Sequence, residues 1–310
     1  ERPRAHRDDR GRYAVQSRAV AHDPVTTPDW CAAADDTPLP TPLRDAVCAQ
    51  LGLAPAPPSL ECLEAVYAAW CRRVPFDNVR KLIALREAAP PPLPGTQAAD
   101  FFEHWLAHGT GGTCWSSSNA LYMLVTALGF TARRIAGSMR DLGIITHGST
   151  VVTIDGRDWL VDASALTQRP VPLFAGPYRD PDPAFATTWT MDGDTHLLRF
   201  GAAPGPEHTV CRFMIDPIDH AFLDAAHERS RGFGRFNEIT YARRNVADGF
   251  LVLSSAVRYH RTADGTDVRS LDRDALRHVL AHDFGLGPDV LQRYEACGAL
   301  DANFTPTIPI

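Results

Sequence analysis

The amino-acid sequence predicts an α+β protein built as three successive units, helical, then mostly β, then mixed α/β. Three observations carry this. Helical periodicity with end signals dominates from Pro38 to about His108. Beyond Gly129 the period shortens to strands and turns. From Asp216 helices and strands alternate again. At 310 residues the chain suits two or three compact units. The expected divisions are an extension over 1–35, a helical unit over 36–129, a β unit over 130–212 and a mixed unit over 213–310. A Ser/Thr/Gly/Pro-rich stretch at 170–210 is expected to mark the last boundary.

Residues 1–35 are polar, with no sustained period, and read as a loosely docked arm. "TPLRDAVCAQLGL" opens on a Thr–Pro pair, an N-cap followed by proline at the first helical position. "SLECLEAVYAAWCRRV" has Ser59 as N-cap and sets Leu60, Leu63, Val66, Tyr67 and Trp70 on one face. "PFDNVRKLIALREAAPPPLPG" reads as an irregular, Pro-rich connection. "AADFFEHWLAHG" is a third helix closed by Gly109. A fourth runs from Cys114 or Trp115 to Leu128, ended by Gly129. "TARRIAGSM", "HGSTVVTIDG" and "RDWLVDAS" read as strands, with a hairpin turn at Asp155–Gly156. A helix is expected in "DPIDHAFLDAAHERS", strands near "FLVLSSAVRYHR", and a last helix in "RDALRHVLAHDFGL".

Composition narrows the function classes. The chain is 45% hydrophobic and 22% charged, ordinary for a globular protein. A formal charge of −6 argues against a nucleic-acid partner. No apolar run approaches the roughly 20 residues that span a bilayer, so no membrane association is expected. The first residues carry no apolar segment of secretory type. Seven cysteines, scattered and without CxxC spacing, fit neither a disulfide framework nor a zinc site. A cytoplasmic location and no metal are the expectations. Lys81 is the sole lysine.

"GTGGTCWSSSNAL", residues 109–121, concentrates the chemistry. Glycines permit a tight turn and close substrate approach. Cys114 follows at a helix N-terminus, where the macrodipole favours a thiolate. A buried structural thiol is the competing reading, and it is the reading for the other six cysteines. His147 sits at a strand entry beside a loop, and Asp162 directly ends the apolar strand "WLV". As a set, the imidazole takes the thiol proton and the carboxylate fixes the ring tautomer. His104, His108, His260, His278 and His282 read as surface or cap residues. Phe76, Trp115 and Phe222 are candidates to line a substrate pocket, with core packing as the alternative. Arg229, Arg231, Arg235, Arg243 and Arg244 are candidates for donor phosphates, with a solvated basic surface as the alternative.

Four segments in order resemble the arylamine N-acetyltransferase family: residues 57–82, "GGTCW…NALYMLVTALGF", "THGSTVVTIDGRDWLVDAS" and "QRPVPL". The resemblance runs from about residue 38 to 175. It implies a papain-like Cys-His-Asp arrangement between an N-terminal helical bundle and a central β-barrel, with a C-terminal α/β lid. It implies Cys114 as acyl-accepting nucleophile, His147 as base and Asp162 as its orienting partner. It further implies no bound cofactor and a ping-pong reaction. An acyl-CoA or acyl-carrier-protein thioester would be co-substrate and a small-molecule amine the acceptor.

Departures from the family pattern are local. Thr110 replaces an Arg, Ser116 a Glu and Asp77 a Glu, and Asn119 lies one place late, as an insertion among the serines would produce. "ASAL" at 163–166 replaces "VGFG". They point to a specialised amide former, related to ansamycin amide synthases without matching them closely. A hydrolase or cyclase using the same acyl-enzyme is the alternative. A triad-bearing scaffold protein is a third reading, against which the intact Cys/His/Asp set argues.

Overall fold

The computed structural model describes residues 37–204 and 208–304. The arm expected over 1–35, with Cys31, lies outside the described residues.

The described residues open with helices α1 (Thr41–Leu51) and α2 (Leu60–Arg73). Pro40 takes the N-cap position of α1 and Thr41 is already helical, contrary to the Thr–Pro reading. Ser59 does cap α2: its Oγ accepts the Cys62 N–H at 3.1 Å. The stretch expected to be irregular folds instead. It contains the short strand β1 (Phe76–Asp77) and the helix α3 (Val79–Arg86). Val79, Leu82 and Ile83 bury one stripe of α3, a period obscured in sequence by the flanking prolines. Helices α4 (Ala98–His108) and α5 (Cys114–Ala127) follow, α4 closed by Gly109 at φ +70°.

An eight-stranded, barrel-like antiparallel sheet comes next. Its strands are β2 (Thr131–Met139), β3 (His147–Ile154), β4 (Arg157–Val161), β5 (Val171–Pro172), β6 (Tyr178–Arg179), β7 (Thr188–Asp192), β8 (Thr195–Gly201) and β9 (His208–Ile218). They are ordered β5-β4-β3-β2-β9-β8-β7-β6. Asp155 and Gly156, at φ +49° and +70°, form the tight turn between β3 and β4. The stretch 170–210 is therefore part of this sheet rather than a boundary. Strand β9 crosses the expected division at 212/213 and pairs with both β2 and β8.

The remaining elements are α6 (His220–Arg229), β10 (Tyr241–Val246), β11 (Gly249–Ser254), β12 (Val257–Thr262), β13 (Gly265–Ser270), α7 (Arg273–His282) and α8 (Pro288–Ala296). The α6 helix starts four residues later than expected, capped by Asp219, because Asp216–Ile218 extend β9. And α7 is not the last helix, since α8 follows after Gly287.

Strand β1 leaves the helical unit to pair with β10 at the edge of a second sheet, ordered β1-β10-β11-β12-β13. The α3 stripe shares a core with Leu251, Leu253, Leu276, Phe284 and Tyr294. So α3 packs with the C-terminal unit, while Phe76, just before it, still belongs to the core of the bundle formed by α1, α2, α4 and α5. The barrel has its own interior of Ile135, Val151, Leu160, Trp189, Leu198 and Phe213. Cys114 packs both against the bundle core and against a cluster formed by residues of β2 and α6.

Candidate active site

The turn before Cys114 is clamped from the side. Asp77 Oδ2 accepts the Gly111 N–H at 2.6 Å, and its Oδ1 accepts the Val79 N–H at 3.0 Å. Its own N–H donates to the Gly112 carbonyl at 3.1 Å. Burial raises the Asp77 carboxyl to about 6, against the two N–H groups, which pull it down. Neighbouring Asn78 ties the same turn to the C-terminal unit: its amide donates to the carbonyls of Phe236 (2.8 Å) and Ile239 (2.7 Å) and accepts the Tyr241 N–H (2.8 Å). The clamp by Asp77 depends on a strand of one unit entering another's sheet, a long-range arrangement with no local sequence signal.

Glycine is required at 111 by proximity. A Cβ there would stand 1.7 Å from the Pro75 carbonyl oxygen, a backbone atom that cannot step aside. Gly111→Ala is therefore expected to cost about 2 kcal/mol or more, read from the denaturant midpoint, and to slow alkylation of Cys114. Gly176→Ala is the control: nothing lies within 4 Å of its Cβ, so a change under about 0.5 kcal/mol is expected.

Cys114 is the first residue of α5, after Thr113 in extended conformation. Its thiol is partly exposed and donates to the Thr146 carbonyl at 3.6 Å. His147, the next residue, begins β3 and is 1% exposed. Antiparallel register sets Thr150 across from Val161. One step further places Asp162 opposite Ser149, on the same face as His147. The result is a buried contact of 2.7 Å between His147 Nε2 and Asp162 Oδ2. Asp162 Oδ1 accepts the N–H groups of Ser164 (2.9 Å) and Ala165 (2.7 Å), a turn that locks the carboxylate in place.

Electrostatics follow from that geometry. Burial alone would lower His147; the Asp162 charge and hydrogen bond, then the Cys114 thiol, reverse this and lift it to about 10. Burial would raise Asp162, but the His147 charge and hydrogen bond and the Ala165 N–H hold it below the usual carboxylate value.

The serines serve packing. Helix α5 runs unbroken over Cys114–Ala127, so no bulge absorbs an inserted residue. One helical residue turns about 100°, which puts residue 119 on a different face from residue 118. Asn119 accordingly points away from Cys114. It donates to the Thr96 carbonyl and accepts from Arg134 Nε, both at 3.0 Å. Ser116 Oγ returns to the Thr113 carbonyl (3.1 Å), and Ser118 meets Thr150 Oγ1 on β3 (3.3 Å). Small hydroxyls let α5 lie close against β3.

Of the pocket candidates, Trp115 and Phe222 meet edge-to-face at 6.5 Å and join Cys114, Ala136, Leu223 and Ala226 in one apolar cluster. Gly148 accommodates Trp115, since a Cβ there would lie 2.7 Å from the indole. Phe76 bridges to Gly112 by its backbone, while its ring packs on Phe236 and Tyr241. The arginine candidates do not form one surface. Arg243 is buried, donates to the Gly201 carbonyl at 2.7 Å and stacks 4.1 Å from the Phe250 ring. Arg231 pairs with Glu228, and Arg229 donates to the Ile145 carbonyl at 3.3 Å. Among the described residues no helix is long and apolar enough to cross a membrane.

A sequence model described as N-acetyltransferase matches residues 59–291. The chain is 39% identical over 69 residues to proansamycin X synthase of Amycolatopsis mediterranei, which is 20% of this chain and 26% of that protein. It is 29% identical over 156 residues to arylamine N-acetyltransferase of Mycolicibacterium smegmatis, 46% of this chain and 53% of that one. The matched stretches thus span about a quarter and about half of these relatives. In structure it superimposes on Mycobacterium marinum arylamine N-acetyltransferase in complex with CoA, with TM-score 0.71 and 20% identity over 82% of this chain and 98% of that one.

Proposed function

This chain belongs to the arylamine N-acetyltransferase family, and on that premise we propose that it forms amides by ping-pong transfer of an acyl group through Cys114. The observation that carries the proposal is the buried His147–Asp162 contact directly beside the Cys114 turn.

In this reading Cys114 is the nucleophile, His147 the acid and base, and Asp162 the orienting carboxylate. Asp162 holds Nε2–H, so Nδ1 receives the thiol proton. The thiolate attacks the carbonyl carbon of a thioester donor. The C–S bond to the donor breaks, and the departing sulfur takes the proton from His147. Acyl-Cys114 remains. An amine then attacks the same carbonyl, His147 accepts its proton, and the amide leaves as Cys114 returns to its starting state.

The donor is an acyl-CoA or an acyl-carrier protein, and the acceptor a small-molecule amine. The stretch shared with proansamycin X synthase supports a role in natural-product metabolism. Trp115, Phe222 and Phe76 would line the acyl or amine site; the first two already share a cluster with Cys114. Six free cysteines among the described residues suit a reducing cytoplasm.

The test is discharge of pre-formed acyl-enzyme. Transfer predicts slow loss in buffer, accelerated by added amine in proportion to its concentration, with amide recovered. Loss at one rate whatever the amine, with only free acid recovered, would assign a hydrolase instead.

A further inference from the structure

The only lysine in the chain, one among 31 basic side chains, is buried rather than solvated. Lys81 lies on α3 and is 6% exposed. Its Nζ donates to the Ser230 carbonyl and to Ser230 Oγ, both at 2.9 Å. Both acceptors are neutral. Among the described residues Lys81 makes no ion pair with a carboxylate. The nearest candidate, Glu228, is committed elsewhere: it pairs with Arg231 and accepts the Leu93 N–H at 2.8 Å.

A buried ammonium needs a counter-charge. Ser230 ends α6, the helix whose Phe222, Leu223 and Ala226 pack on Cys114 and Trp115. Ser230 follows Ala226 by four residues, so the ammonium is held about one helical turn along α6 from the residues that pack on the nucleophile. We propose that Lys81 is a positioning residue whose ammonium, fixed by Ser230, supplies the positive charge that favours the Cys114 thiolate. The proposal rests on Cys114 being the nucleophile, and extends that reading to a second source of activation beside His147.

The surrounding charges agree. Facing Lys81 are Cys114 on α5, His227 and Glu228 on α6, and Arg231 just beyond, with Arg80 adjacent on α3 itself. Burial lowers the Lys81 amine to about 8, and Cys114 is the strongest influence raising it, ahead of Glu228. Burial and then the neighbouring cations keep His227 neutral, at about 4, despite its contact with the Pro94 carbonyl. It therefore adds no competing charge. Reciprocity is required: if the thiolate stabilises the ammonium, the ammonium stabilises the thiolate equally. A lysine suits the place better than another arginine, since a compact ammonium with three N–H groups can use two on one serine and keep its charge concentrated at one point.

Two measurements test this. In the first, protein labelled with [13C]lysine yields a single side-chain signal, titrated in wild type and in Cys114→Ala. The inference predicts a lower midpoint in Cys114→Ala, by about half a unit or more; coincident curves would overturn it. In the second, alkylation of Cys114 by iodoacetamide is followed against pH. Lys81→Met is expected to slow the reaction about tenfold at pH 7 and shift its midpoint up by about one unit, whereas Lys81→Arg stays within about threefold. A folded Lys81→Met protein with the wild-type profile contradicts the assignment. The lysine titration needs no change at Lys81, so it decides the matter even if Lys81→Met does not fold. It also reads the coupling whether or not any acyl donor reacts, so failure here is separate from failure of the acyltransferase reading.

Discussion

Replacing Cys114 by alanine is expected to lower kcat/KM for amide formation by at least about 10⁴-fold while leaving the fold in place. The size follows from the role. Without sulfur there is no acyl-enzyme, and the remaining groups can only align donor and amine for direct attack. The intact fold follows from position. Cys114 is partly exposed at the first turn of α5, and its contact with the Thr146 carbonyl is long. Losing one sulfur there costs about 1 kcal/mol, far less than emptying a core site. Activity and melting temperature measured on the same sample separate the two. Replacing Cys71, buried in the bundle core, is expected to show the reverse pattern, lost stability with the chemistry retained in whatever folds.

The second large effect is expected at Asp162. Asp162→Asn keeps the shape, and its amide oxygen can still accept the Ser164 and Ala165 N–H groups that hold Oδ1. The amide nitrogen then faces His147 Nε2 and donates to it. The ring must carry its proton on Nδ1, the atom that should receive the thiol proton. A fall in kcat of about 10³- to 10⁴-fold is expected, as for other orienting carboxylates. Stability changes with a definite sign. His147 is raised from 6.5 to about 10 in the fold, so its contribution is complete below pH 6.5 and is lost as pH climbs through 10. Asp162 is held below 3.8, so the same pair weakens as pH falls through the lowered value. The stability difference between wild type and Asp162→Asn should thus be greatest between about pH 4 and 6.5 and shrink toward pH 10. Denaturant midpoints across that range check it; a flat difference contradicts the ion pair.

Local signals account for what could be read in the sequence. Strand periodicity located β2, β3 and β4, and Asp155–Gly156 located their hairpin, because period and turn chemistry are short-range. Ser59 was legible as a cap for the same reason. With β3 and β4 fixed as a hairpin, His147 and Asp162 fall on one face, so the site's central contact was already implied. What was hidden is non-local. Strand β1 has two residues and exists only because β10, more than 160 positions on, offers an edge. The helix α3 looked irregular because its apolar partners lie on β11, α7 and α8. Asp216 and Pro217 imitate a helix start, yet pairing with β2 draws them into β9, and Asp219 caps α6 instead. The arginines read as a basic cluster dispersed once folded, with Arg243 serving as a buried stacking partner. The serines after Cys114 depart from the family pattern, yet they serve the scaffold: Ser118 bonds Thr150 on β3, and Ser116 returns to the Thr113 carbonyl at the start of its own helix.

The central claim is that an acyl group rests on Cys114 during turnover. Its most direct test is intact-protein mass after incubation with acyl-CoA donors of increasing chain length, with carrier-bound acyl groups and with activated esters, all without amine. The account predicts a gain of one acyl group for at least one donor, mapped to the peptide carrying Cys114, released by hydroxylamine and absent from Cys114→Ala. No gain with any donor, or an equal gain in Cys114→Ala, contradicts it.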